Sequence, residues 1–194
     1  MNCQSILKYL KGLGATHCQV ISSHLLVPEE RIRKYCYENK CGCYNKHLSC
    51  PPYTGTVSEV KKKLNAFKSG ILIQYSQNLN VQNDKEGLKR TKLKLHNIVL
   101  EAETYGKENM GVNTIWGFIG GNCELCDECA GYRNEACTYP EKARVSMEAI
   151  AIDVINLLRT LHLDTEFRDD KITWTGIVLF DREIGALVDS HESK

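Results

Sequence analysis

Short apolar segments recur along the chain and alternate with amphipathic stretches, an order typical of proteins that pack helices on a sheet. Four segments predict strands because they are brief, apolar and bounded by turn residues. They are residues 18–21, 70–75, 114–119 and 172–180. The last is apolar on both faces, which predicts a central strand.

Helical spacing and capping residues predict the elements between these strands. Pro28 opens a short helix that carries Ile32 and Tyr35. Thr56 and Glu59 form a capping box, in which a hydroxyl and a carboxylate satisfy the first free amides of a second helix. The apolar face of this second helix consists of Val57, Val60, Leu64 and Phe67.

Two further helices are predicted in the second half of the chain. One is long and rich in lysine, and it runs from about residue 84 to residue 105, with Gly106 as its C-cap. The other begins directly after Cys137, where Thr138 and Glu141 repeat the capping box. Its apolar stripe is formed by Ile150, Val154, Leu157, Leu158 and Leu161.

The order of these elements predicts an α/β fold: a small mixed sheet of about four to five strands, packed helices and two inserted cysteine-rich loops. The chain has 194 residues, of which 42% are hydrophobic. This is enough for one sizeable core, so residues 1–194 are expected to form a single domain.

Composition and charge exclude several classes of protein. With 25 basic and 24 acidic residues, the chain has a formal net charge of +1 and no basic footprint for nucleic acid. Its longest apolar runs are far shorter than the roughly 18–20 residues of a membrane-spanning helix. Residues 1–4 lack the charged start and apolar stretch of a signal peptide, so none is expected there. We therefore expect a cytoplasmic protein that binds neither nucleic acid nor a membrane.

Ten cysteines in a reducing compartment are expected to be metal ligands or buried thiols rather than disulfides. Cys3 and Cys18 stand alone, and Cys18 is expected to pack in its strand as a small hydrophobe. The other eight fall into two groups. The first set is Cys36, Cys41, Cys43 and Cys50, and the second set is Cys123, Cys126, Cys129 and Cys137.

The second set has the more specific spacing, C-x2-C-x2-C, with Cys137 after seven intervening residues. Steps of three residues let a tight loop present successive thiolates to different irons of one cluster. Zinc usually takes a pair of cysteines from each of two places, so a third at the same step is not needed. The spacing favours an iron–sulfur cluster and leaves open whether Cys137 closes that cluster or reaches a second one. The predicted helix start after Cys137 would favour the negative charge of a cluster.

The first set lies in a loop with little other apolar content, which favours metal ligation over core packing. Its spacing matches no standard zinc knuckle. Cys41 and Cys43 are two positions apart, so one of them is expected to be a spare or exchangeable thiol. His47 lies between Cys43 and Cys50 and is an alternative ligand.

The two loops differ in charge. The first is surrounded by Arg31, Arg33, Lys34, Lys40 and Lys46, whereas the second holds Glu124, Asp127, Glu128 and Glu135. Since nearby charge shifts the reduction potential of a cluster, we predict two clusters, with the second at the lower potential.

Three segments carry a resemblance: residues 44–52 (YNKHLSCPP), the C-x2-C-x2-C run, and residues 143–154 (ARVSMEAIAIDV). Together they resemble the family of cysteine-rich predicted metal-binding proteins of unknown function from anaerobic bacteria and archaea. The resemblance covers about residues 15–180 and implies metal binding, with iron–sulfur as the expected form. Asn45 and Leu48 stand where the family usually has a glycine and a tryptophan.

The expected function is therefore that of an iron–sulfur protein, holding one or two [4Fe–4S] clusters on the eight cysteines and passing single electrons to or from a redox partner protein. One alternative is an enzyme in which a cluster with three cysteine ligands uses its open iron as a Lewis acid on a small sulfur- or oxygen-containing substrate. Another is a binding module with structural zinc.

Overall fold

The computed structural model describes residues 3–185; residues 186–194 lie outside it, as do residues 1 and 2, so the expectation for residues 1–4 falls partly outside the described residues. Within residues 3–185, five strands form one mixed sheet. They are β1 (His17–Ser22), β2 (Ser69–Asn78), β3 (Ile115–Ile119), β4 (Val145–Ser146) and β5 (Lys171–Phe180). The order across the sheet is β1-β2-β5-β3-β4, which confirms the predicted mixed sheet and the central place of the last strand.

All neighbouring strands are antiparallel except β3 and β4, which are parallel. β5 pairs with β2 along its whole length and with β3 through residues 177–180. Because side chains alternate across a strand, Ile177 and Leu179 face one core while Val178 and Phe180 face the other. The sheet therefore separates two hydrophobic cores.

Five α-helices lie among the described residues: α1 (Cys3–Gly12), α2 (Glu30–Glu38), α3 (Val57–Leu64), α4 (Lys85–Asn109) and α5 (Val154–Thr160). Short 3-10 helices span Ser23–Leu25, Ala130–Arg133 and Glu148–Ile150. α1 and α4 cover one face of the sheet, through residues such as Leu10 and Val99, and α3 and α5 cover the other, through residues such as Leu64 and Leu157. None of the helices between residues 3 and 185 combines the length and the apolarity needed to cross a membrane.

The capping box at the start of α3 is present as predicted. The Thr56 hydroxyl accepts a hydrogen bond from the Glu59 amide at 3.2 Å, and the Glu59 carboxylate accepts one from the Thr56 amide at 2.7 Å. α1 has no counterpart among the predicted elements, although Ile6 and Leu10 are fully buried and lie one helical turn apart.

The predicted helix directly after Cys137 is wrong. Residues 138–144 form a turn, in which the amides of Lys142 and Ala143 both bond to the Tyr139 carbonyl. The chain then extends into β4 and a short 3-10 helix, and the next α-helix begins only at Val154. Pairing with β3 draws Val145 and Ser146 into the sheet and outweighs the local capping pattern.

Gly106 does not end α4, which continues to Asn109 with Met110 as its C-cap. Instead, Gly106 provides space inside the core, because a Cβ atom there would lie 2.8 Å from Cε1 of Phe180 and 2.9 Å from Cδ1 of Ile115. Its lack of a side chain therefore lets α4 approach the sheet closely.

Gly106→Ala is expected to lower the free energy of unfolding by about 1–3 kcal/mol, because the buried Phe180 ring must move to admit the methyl group. Chemical denaturation measures this difference. Gly12→Ala is the matched control, since no atom lies within 4 Å of its would-be Cβ. Equal stability of the two variants would contradict this account of Gly106.

Candidate metal centre

The second set meets around one cavity. Cys123, Cys126, Cys129 and Cys137 all line a space of about 170 Å³. Residues 47–49 of the first loop, together with residues 138–140 and 143–145, form most of the rest of its wall. Cys123 and Cys137, fourteen positions apart in sequence, thus line a common space.

A local reversal of the chain returns Cys137 to this cavity. The 3-10 helix Ala130–Arg133 follows Cys129 and ends at Asn134, which has a φ of 56°. Asparagine tolerates this left-handed conformation better than most residues. The Glu135 amide then bonds back to the Ala130 carbonyl at 3.1 Å, so the chain turns towards the cavity before Cys137.

Backbone amides point at sulfur atoms of the second set. The Leu48 amide donates to Sγ of Cys129 at 3.4 Å, and the amides of Leu125 and Arg144 favour the thiolate of Cys123. Burial nevertheless raises the pKa of Cys123, with the neighbouring Cys137 and Cys126 acting in the same direction. These amides favour the thiolate forms of Cys129 and Cys123, a role that the sequence had assigned to a helix start after Cys137.

Residues 138–144 are held by α4 rather than by a helix of their own. Nε of Arg144 donates to the Glu103 carboxylate at 2.7 Å, and Nη1 of Arg144 donates to the Ala143 carbonyl at 2.7 Å. The buried His96 ring bonds to the Lys142 carbonyl at 2.8 Å. His96 and Glu103 lie two helical turns apart at buried positions of α4. Polar residues such as His96 and Glu103, at positions of α4 where apolar residues are expected, are the sequence signal that could have indicated this attachment of residues 138–144 to α4.

The first set is also gathered into one neighbourhood. Cys36 lies in the last turn of α2, and Asn39, with a φ of 52°, ends that helix. Cys43 lies beside Cys41, with its Sγ 3.6 Å from the Cys41 carbonyl oxygen. Burial raises the pKa of Cys50 to about 12, and the thiols of Cys43, Cys41 and Cys36 contribute in the same direction.

The chemistry of both donor sets fits a metal centre. Thiols that raise one another's pKa are costly to ionise together, and a bound metal removes this cost because it takes up the thiolates and releases their protons.

All ten cysteines lie within the described residues and are free thiols. Cys41 is exposed, whereas Cys18 is buried and packs in the core as predicted. Among residues 3–185, no three His, Cys, Asp or Glu side chains are disposed as ligands of a single ion.

The two loops are in direct contact. A Cβ atom on Gly131 would lie 2.2 Å from the Lys46 carbonyl oxygen, so only glycine permits this approach of the two backbones. The Tyr132 hydroxyl lies 3.9 Å from Sγ of Cys43. Burial, together with the thiols of Cys43, Cys50 and Cys129, raises the pKa of Tyr132. Tyr132 therefore lies between the two sets.

His47 is buried and lines the cavity around the second set, although it belongs to the first loop. Its Nδ1 lies 2.9 Å from the Ser49 hydroxyl, and burial lowers its pKa, so the ring is favoured as neutral imidazole. The Ser49 hydroxyl also accepts a hydrogen bond from the Cys123 amide at 3.3 Å. These contacts explain the position of His47 without a metal–nitrogen bond.

Basic partners offset the acidic side chains of the second loop. Lys92 pairs with Glu124 at 2.7 Å and Lys89 pairs with Asp127 at 2.8 Å. Arg133 pairs with both Glu128 and Glu135. The charge difference between the loops is therefore smaller than the sequence alone suggests.

A family model described as "Predicted metal-binding protein (DUF2284)" matches residues 19–180. The chain belongs to this family. No curated protein and no solved structure matches the chain. The DUF2284 match spans both cysteine sets and confirms the resemblance carried by the three sequence segments. Membership supports metal binding by this chain.

In this DUF2284 protein, Gly131→Ala is expected to separate the two loops, because the added methyl group would overlap the Lys46 carbonyl. Cys129 should then react more slowly with iodoacetamide in metal-free protein, because loss of the hydrogen bond from the Leu48 amide disfavours the thiolate, which is the reactive form. Peptide mass spectrometry measures this rate. Gly12→Ala should leave the rate unchanged, and an unchanged rate in Gly131→Ala would show that the loops do not depend on this contact.

Proposed function

We propose that the chain is a single iron–sulfur domain of the reducing cytosol that passes single electrons to or from a redox partner protein. The first set would hold one [4Fe–4S] cluster and the second set another. The observation that carries the proposal is the convergence of all four cysteines of the second set on one cavity. Their C-x2-C-x2-C spacing favours a polynuclear cluster over a lone zinc ion.

A bound cluster would supply a site that accepts or releases one electron. The protein would tune it through the amides of Leu48, Leu125 and Arg144, since hydrogen bonds to cysteine sulfur shift the potential of a cluster. The ion pair between Arg144 and Glu103 fixes the backbone that presents one of these amides.

The position of Tyr132 supports electron passage between the two sets. Its hydroxyl contacts Cys43 of the first set, and its segment follows Cys129 of the second. The direct packing of Gly131 on Lys46 keeps these parts of the loops together. Two clusters held by such loops would be close neighbours.

One observation favours an enzyme as the second candidate. An open cleft of about 560 Å³ borders Cys123, Cys126 and Cys129 on the side of α4. Lys85, Trp174 and other polar or aromatic residues of α4 and β5 line it. A small substrate in this cleft could reach an open iron of a cluster with three cysteine ligands, which would act as a Lewis acid.

Anaerobically purified protein is expected to be brown and to contain about eight irons and eight sulfides per chain, the content of two [4Fe–4S] clusters. Cys126→Ala should lose about half of both, because only the second cluster is affected. Cys18→Ala is the matched control and should retain both, since Cys18 packs in the core. Elemental and labile-sulfide analysis measures these contents. Zinc without sulfide would instead establish the zinc module.

If the protein transfers electrons, we also expect that no iron of its clusters has an exchangeable coordination site. Electron paramagnetic resonance spectra of the reduced protein should then stay unchanged when 2-mercaptoethanol or citrate is added. A spectral shift in the wild-type protein that persists in Cys18→Ala would favour the enzyme, because it requires an iron open to external ligands.

A further inference from the structure

The guanidinium of Arg33 is buried and lacks most of its hydrogen bonds. Arg33 lies on α2 and is 2% exposed. Its Nη1 donates to the Thr54 hydroxyl at 3.3 Å, and this hydroxyl in turn donates to the Ala149 carbonyl at 2.8 Å. Its Nε and Nη2 are also buried, and among residues 3–185 neither has a hydrogen-bond partner. A guanidinium stays charged at any physiological pH, so this is a buried cation without a counter-ion.

The neighbours of Arg33 are the two ends of the first cysteine loop. Cys36 lies three positions further along α2 and therefore on the same face of the helix. Thr54 follows Cys50 by four positions, and the Tyr53 amide bonds to the Cys50 carbonyl at 3.1 Å. Burial raises the pKa of Cys36; Arg33 acts in the opposite direction and favours the thiolate, whereas the Glu148 carboxylate disfavours it. The unpartnered donors thus lie where the loop closes around the first set.

The other cations of the structure that approach the cysteine loops differ from Arg33. Arg31, two positions away, is about half exposed and pairs with Glu29 at 2.8 Å and with Asp153 at 2.7 Å. Lys92, in the cleft beside the second set, is buried but pairs with Glu124 at 2.7 Å. Among the described residues no carboxylate forms a salt bridge with Arg33, although Glu148, on the 3-10 helix that packs against α2, acts on the same Cys36 thiol. Burying a charge is tolerated when an opposite charge compensates it.

We propose that Arg33 is the internal counter-ion of an anionic, thiolate-ligated centre on Cys36, Cys41, Cys43 and Cys50. This inference rests on the proposed function, because four thiolates around an oxidised cluster leave a net negative charge. Reduction adds one more negative charge, which an uncompensated cation stabilises. Arg33 therefore sets the first cluster at a higher potential than the second, where the buried Lys92 is already neutralised by Glu124.

The test replaces Arg33 in full-length Cys126→Ala protein, in which the first cluster is the one retained. Arg33→Met keeps much of the side-chain length without the charge, and Arg33→Lys keeps the charge with fewer donors. Arg31→Met is the matched control, because it removes an exposed cation from the same helix. A dithionite titration followed by electron paramagnetic resonance gives the potential, and iron and sulfide analysis gives the occupancy.

Arg33→Met is expected to lower the reduced-to-oxidised ratio of the first cluster at least tenfold at a fixed potential, which corresponds to about 59 mV for a one-electron couple. Arg33→Lys should recover most of this shift, and Arg31→Met should produce almost none. A role in packing alone would change the melting temperature without changing the potential. A potential equal in Arg33→Met and in its parent would overturn the inference. Where Arg33→Met does not fold, Arg33→Gln supplies the neutral variant.

The outcome separates this inference from the proposed function. If iron and sulfide are present but the reduction potential of the first cluster is the same in Arg33→Met and its parent, the proposed function stands and the counter-ion role fails. If the wild-type protein holds zinc without sulfide, the proposed function fails. The counter-ion role is then tested by zinc affinity, because four thiolates around zinc are also anionic. A loss of affinity of at least tenfold in Arg33→Met supports the role, and unchanged affinity overturns it.

Discussion

The approach of Gly131 to the Lys46 carbonyl is the contact on which the arrangement of the two cysteine loops depends. Both cysteine loops have little regular structure and few buried apolar side chains, so neither can hold four sulfur atoms in place alone. Each completes the other: residues 47–49 of the first loop form part of the wall around the second set, and the Leu48 amide bonds to Cys129. Glycine at position 131 makes this mutual support possible.

A second constraint comes from the sheet. The second loop begins after β3 and ends at β4, which pairs with β3 in parallel. The ion pair of Arg144 with Glu103 and the hydrogen bond of His96 to the Lys142 carbonyl then fix the returning segment on α4. The loop is thus held at both ends by buried contacts, which restrict the positions of its sulfur atoms. Long-range contacts, rather than local propensity, determine the geometry.

The sequence predicted the fold where the local pattern and the tertiary structure agree. β1, β2, β3 and β5 follow from short apolar runs, and α3 follows from its capping box. The pattern failed after Cys137, where a good capping sequence lies beside a strand that pairs with β3. It also failed at Gly106, because the contact with Phe180 comes from a strand more than seventy positions away.

The site was predictable to the same extent. Cysteine spacing predicts both sets of candidate ligands, since ligands of one centre often lie close in sequence, and the structure places the second set around one cavity. The contacts of Leu48 with Cys129 and of Tyr132 with Cys43 span more than eighty positions and leave no trace in local spacing. Asn45 has a φ of 55°, a left-handed conformation that asparagine accepts more readily than most residues.

The parallel pairing of β3 and β4 has a consequence for protein handling. Parallel neighbours are usually joined by a helix that packs back on the sheet, whereas here the connection is the second cysteine loop. If oxidation of its cysteines disordered this loop, the two-residue β4 would separate from β3 and expose the backbone edge of β3. An exposed strand edge can pair with other chains, so precipitation is expected to follow oxidation of the loop.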